Sequence, residues 1–154
     1  MFSKLKKKKT IFSPMTGQLI PLATVKDPVF SQGMMGPGFA IEPTSGEIYS
    51  PVEGTVTNIF PTKHAISLKS KNGKEILLHI GIDTVALQGQ GFDILTKENA
   101  KVTKETLLAR VDRDYLKQQG KYDTLMVLFP EEQSLPINVE VKETVAQTAL
   151  FDFE

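Results

Sequence analysis

The chain has 154 residues, is 40% hydrophobic and carries 18 basic and 18 acidic side chains, which supports one apolar core and gives no net charge of the kind that drives nucleic-acid binding. It has no cysteine, which excludes a disulfide framework, a thiolate nucleophile and a thiolate metal site. No apolar run approaches the roughly 18 residues of a transmembrane helix, and no signal-type apolar region follows the first lysines, so a cytoplasmic location is expected.

Lys4, Lys6, Lys7, Lys8 and Lys9 crowd the start. Residues 1–10 are expected as a basic flexible tail and residues 11–154 as the folded domain. Met1, Phe2 and Leu5 could face lipid on a nascent helix, each lysine adding about 1 kcal/mol near anionic headgroups. A helix this short is marginal alone, and a solvated tail is the simpler expectation.

From Thr10 onward the chain reads as short runs separated by nine prolines and eleven glycines, the pattern of an all-β protein: a compact antiparallel sandwich or distorted barrel with one or two short helices. Phe12-Ser13-Pro14-Met15-Thr16-Gly17 is echoed by Tyr49-Ser50-Pro51-Val52-Glu53-Gly54. Gly36-Pro37-Gly38-Phe39-Ala40-Ile41 is echoed by Gly89-Gln90-Gly91-Phe92-Asp93-Ile94. Such repeated turn chemistry suggests two related halves about a pseudo-twofold axis.

Residues 27–38 hold too many glycines for a long helix and read as a loop with exposed apolar side chains. Period-two alternation predicts strands over 54–59 and 137–141. Residues 59–68 and 77–85 flank a Lys71-Asn72-Gly73-Lys74 turn and read as a β-hairpin. A short turn is expected at 97–99. Residues 112–119 form the best helix candidate, with Asp112 as N-cap and Gly120 closing it.

The chain's two histidines, His64 and His79, lie fifteen positions apart on this hairpin, whose fold can bring them together. With Asp83 they would supply three zinc-ligand types, which resembles part of the set in LytM-like metallopeptidases; the His-x-His pair of those hydrolases is missing, so a zinc-dependent hydrolase is the runner-up function, and the two histidines could also bind adventitious zinc. No serine-hydrolase elbow and no Walker loop occur. Nucleophilic catalysis by histidine remains, because a neutral imidazole can attack phosphorus given a neighbouring donor and an apolar surround. Thr62, two residues before His64, could hydrogen-bond its ring and set the tautomer. The residues alone favour a satisfied, partly buried imidazole for either histidine.

His79-Ile80-Gly81-Ile82-Asp83-Thr84-Val85, then Gly89-Gln90-Gly91-Phe92, with Pro51-Val52-Glu53-Gly54-Thr55-Val56 and Thr62-Lys63-His64-Ala65 upstream, resembles the glucose-type enzyme IIA family of the bacterial phosphoenolpyruvate-dependent sugar phosphotransferase system. The likeness runs from about Thr10 to the end. It implies a phosphotransferase component without cofactor that accepts a phosphoryl group from phospho-HPr and passes it to a cysteine of a sugar-specific IIB domain. Carried over, His79 is the phosphorylated residue, His64 its stabilising partner and Thr62 the tautomer-setting group. An apolar docking patch is expected at Val29, Phe30, Met34, Met35, Phe60, Ile66 and Val85, with Asp27 and Asp83 meeting arginines of the donor. The methionines depart from the smaller branched residues usual in that loop. A regulatory binding module without phosphotransfer is the other alternative, since the same patch would serve it.

Overall fold

The computed structural model describes residues 9–154; the lipid-facing role considered for Met1, Phe2 and Leu5 falls outside the described residues. In chain order the first strands are β1 (Lys9–Phe12), β2 (Gly17–Pro21), β3 (Gly38–Pro43), β4 (Glu47–Tyr49), β5 (Gly54–Ile59), β6 (Ala65–Ser70) and β7 (Glu75–Ile82). They are followed by β8 (Phe92–Ile94), β9 (Lys101–Val102), β10 (Leu107–Val111), β11 (Tyr122–Leu128), β12 (Lys142–Thr144) and β13 (Ala149–Phe153). Two short helices, α1 (Pro28–Ser31) and α2 (Arg113–Gln118), complete the set with single 3₁₀ turns at Leu22–Thr24 and Thr84–Leu87. Strand β1 includes Lys9 and Thr10, which fall inside the segment expected as tail.

Pairing is antiparallel throughout the described strands. The large sheet runs β12-β2-β3-β11-β7-β6-β5-β9, a smaller one β4-β10-β8, and β1 pairs with β13. The central strands of the large sheet are apolar on both faces, and the period of two sorts them. Phe39, Ile41, Ile66, Leu68, Ile76, Leu78, Ile80, Leu125 and Val127 enter the main core. Their neighbours Ala40, Ala65, Leu77, Met126 and Leu128 turn to the other face and join Phe30, Leu22 and Val25 in a second apolar cluster. Each fully buried Leu or Ile contributes roughly 1.5–3 kcal/mol, so the second cluster is a substantial layer. The histidine hairpin lies between the two layers.

The first sequence echo has a direct structural counterpart. Phe12 N–H donates to the Pro51 carbonyl and Tyr49 N–H to the Pro14 carbonyl, both at 2.8 Å, so the copies bind each other reciprocally. In each, a wholly buried serine closes the turn: Ser13 donates to the Met15 carbonyl at 2.8 Å and Ser50 to the Val52 carbonyl at 2.6 Å. Gly17 and Gly54 then start β2 and β5 at equivalent places, each lying against a neighbouring backbone carbonyl where a Cβ has no room.

Helix α2 forms where capping chemistry places it, with the Asp112 carboxylate accepting from Tyr115 N–H at 3.0 Å and Gly120 at φ +72°. The turn at 97–99 is present, with Asn99 left-handed. The 27–38 loop contains one helical turn, α1, because the Asp27 side chain caps Val29 N–H at 2.9 Å and Pro28 starts the helix. The strand expected over 137–141 does not form. Ile137 and Val141 are exposed and only Val139 between them packs against the main core, and pairing starts only at Lys142.

Candidate active site

Strand β7 carries His79 out on the second-cluster face, beside Leu77 and opposite Ala65 on β6 and Met126 on β11. His64 precedes β6. There the chain leaves β5 through Phe60-Pro61-Thr62-Lys63, a turn closed by Lys63 N–H on the Phe60 carbonyl at 2.8 Å, with Lys63 left-handed at φ +61°. That turn frees His64 from strand alternation, while its carbonyl still accepts from Ile80 N–H at 2.7 Å. The two imidazoles meet edge-on, with ring centroids 5.0 Å apart and an interplanar angle of 77°.

Aromatic side chains wall the pair. The Phe30 ring lies 4.7 Å from that of His79, and the Phe60 ring lies edge-on 5.6 Å from that of His64. His64 is 8% exposed, whereas His79 is only partly buried. Thr62 Oγ1 is 2.5 Å from His64 Nδ1. His79 Nδ1 is 2.9 Å from the Gly81 carbonyl oxygen. A carbonyl can only accept, so Nδ1 of His79 carries the proton and Nε2 holds the lone pair. Gly81 can offer that carbonyl because it takes φ +79° inside the end of β7, where a Cβ would strike Thr84 and the Tyr122 carbonyl.

Burial pushes the His64 imidazole below its ordinary value. His79 falls to about 4, first through burial and then through the charge of His64; the Gly81 carbonyl and the Asp27 and Asp83 carboxylates pull the other way. Near neutrality the ring is therefore uncharged, with a free nitrogen lone pair beside the second imidazole.

The expected docking residues divide. Val29, Met34, Met35 and Val85 are exposed, Met34 at 70% and Val85 at 53%, and Phe60 is half-buried. Asp27 and Asp83 are close enough to act on the His79 charge. Ile66 is a correction: it pairs with Leu78 on the opposite face and is wholly buried in the main core. Phe30 is another, being 6% exposed and spent on covering His79. Two elements of the site had no signal in the residue types considered: the Gly81 carbonyl, which is backbone, and Thr84, a buried hydroxyl behind it. The zinc-hydrolase set does not assemble, since no group of three or more His, Asp or Glu side chains among the described residues could hold a metal ion.

The solved structure of glucose permease IIA from Mycoplasma capricolum matches this fold with a TM-score of 0.78 at 35% identity, covering 93% of this chain and 95% of that one. The fold class is thus that of a sugar-phosphotransferase IIA protein. The family model described as phosphoenolpyruvate-dependent sugar phosphotransferase system, EIIA 1, matches residues 9–135. The glucose-specific EIIA component of the phosphotransferase system from Staphylococcus epidermidis is 41% identical over 138 residues, 89% of this chain and 83% of that protein. Its Staphylococcus aureus counterpart is 43% identical over 130 residues, 84% and 78% respectively. The chain belongs to this EIIA family and is a phosphotransferase component, a phosphocarrier of the sugar phosphotransferase system.

Proposed function

We propose that His79 carries the phosphoryl group, taking it on Nε2 from phospho-HPr and passing it to a cysteine of the IIB domain of a sugar-specific permease. The observation behind this is the Nδ1–H bond to the Gly81 carbonyl, which leaves Nε2 as the nucleophilic atom. In the first step the Nε2–P bond forms as the donor's N–P bond breaks; in the second that bond breaks as an S–P bond forms on the acceptor, with no redox change. His64, with Thr62 donating to its Nδ1, presents Nε2–H to the phosphoryl oxygens and steadies their charge. Residues 11–154 act as one carrier domain.

Val29, Met34, Met35, Phe60 and Val85 form the adaptable apolar surface for both partners, and methionine suits a surface that must repack. Asp27 and Asp83 steer a basic donor face. No helix among the described residues is long and apolar enough to cross a membrane. A carrier that meets both of these partners would work in the cytoplasm, where the lysines ahead of β1 could touch anionic lipid.

The assay is phosphoryl uptake from labelled phosphoenolpyruvate through the general kinase and HPr. His79→Ala is expected to abolish labelling with the fold intact. His64→Gln is expected to keep uptake and slow onward transfer about tenfold or more, the usual scale for a lost transition-state donor. Retained labelling of the alanine variant would refute the site.

A further inference from the structure

The carbonyl that sets the His79 tautomer belongs to a peptide that the sheet does not hold by itself. Register between β7 and β11 slips at this place, running Leu125 to Ile80 and then Tyr122 to Ile82 with an irregularity between them. Gly81 sits in that gap at φ +79°. Strand pairing therefore leaves its orientation to other contacts.

Thr84 supplies them. Its side chain is wholly buried at the start of the 3₁₀ turn Thr84–Leu87, which Asp83 enters left-handed at φ +60°. The hydroxyl donates to the Ile80 carbonyl at 2.5 Å, gripping the peptide just before Gly81. The methyl fills the space over the Gly81 Cα: a Cβ built there would lie 2.4 Å from Thr84 Cγ2. Serine would keep the first contact and valine the second, but only threonine makes both.

We propose that Thr84 is a positioning residue for phosphoryl transfer, holding the Ile80-Gly81 backbone so that the Gly81 carbonyl stays against His79 Nδ1. The inference rests on His79 Nε2 being the acceptor. With the hydroxyl lost, the backbone turns away from the ring, Nδ1 loses its acceptor, and the proton divides between the two nitrogens. Only the Nδ1–H fraction, correctly aimed, accepts phosphorus.

The test reads the His79 tautomer by ¹⁵N NMR of the imidazole, together with kcat and KM for phospho-HPr. Wild type is measured first: a predominant Nδ1–H form is the premise, and its absence overturns the proposal along with the acceptor assignment. Thr84→Val is then expected to give a tautomer mixture and a kcat lower by about tenfold or more, as small misplacements of reacting groups do, with KM within about twofold of wild type. Thr84→Ser is expected to keep the wild-type tautomer and most of kcat. A folded Thr84→Val with wild-type tautomer and kcat overturns the positioning role while leaving the acceptor assignment standing. If the valine variant does not fold, Thr84→Ser against Thr84→Ala decides: a serine variant whose tautomers are as mixed as those of the alanine variant overturns it equally.

Discussion

Burial and the adjacent His64 hold the pKa of the His79 imidazole at about 4, so the ring is uncharged near neutrality. The same shift bears on stability. Below pH 6.5 the unfolded chain protonates this ring and the folded protein does not, so unfolding gains protons and becomes easier. The stabilising contribution is complete above pH 6.5 and is lost as pH falls toward 4, amounting to about 3 kcal/mol at most. Denaturation of wild type and His79→Gln from pH 7 to 4 should show wild type losing more stability across this window. Parallel curves would contradict the shift. That Thr62, His64 and His79 meet could be expected from the hairpin spacing, and the structure brings them together; the roles given to them came from the family resemblance. The Gly81 carbonyl could not be expected, since a backbone acceptor has no residue signature and depends on a left-handed turn that only the folded strand end reveals.

The repeated aromatic-Ser-Pro-x-x-Gly segments order the sandwich by starting β2 and β5 against neighbouring strands. At Gly54 a Cβ would stand 2.0 Å from the Lys69 carbonyl oxygen, whereas at Gly73, in the hairpin turn with φ +89°, it would meet nothing within 4 Å. Gly54→Ala is therefore expected to cost about 2–4 kcal/mol through backbone displacement and Gly73→Ala only about 1 kcal/mol through left-handed strain. Urea unfolding of the two variants compares them, and a Gly54→Ala as mild as Gly73→Ala would remove the close-approach explanation. The echo, the hairpin and the capped helix α2 could be read ahead because glycine, proline and capping residues act locally. The 137–141 segment could not: alternation marks a strand only if a sheet edge lies within reach, and that is decided by the whole fold. Ile66 was misplaced for a related reason, since one residue of register separates the site face from the core.

Across the molecule, the large sheet carries an apolar layer on each face and His79 stands with the smaller one, while Val29, Met34, Met35 and Val85 are exposed apolar side chains. Apart from the first nine residues the chain has thirteen basic against eighteen acidic side chains, a balance suited to basic partners at short contact times. Val85→Glu puts a charge on the exposed apolar surface proposed for docking, where contact with the partner would desolvate it. It is expected to raise KM for phospho-HPr about tenfold while changing stability by under about 0.5 kcal/mol, as an exposed substitution does. An unchanged KM would take Val85 out of the docking surface.

The most direct measurement is a ³¹P–¹⁵N NMR correlation on the phosphorylated, ¹⁵N-histidine-labelled protein. Phosphorus coupled to Nε2 of His79, with Nδ1 still bonded to the Gly81 carbonyl, is the predicted result. Phosphorus on Nδ1 of that ring, or on His64, would contradict the account.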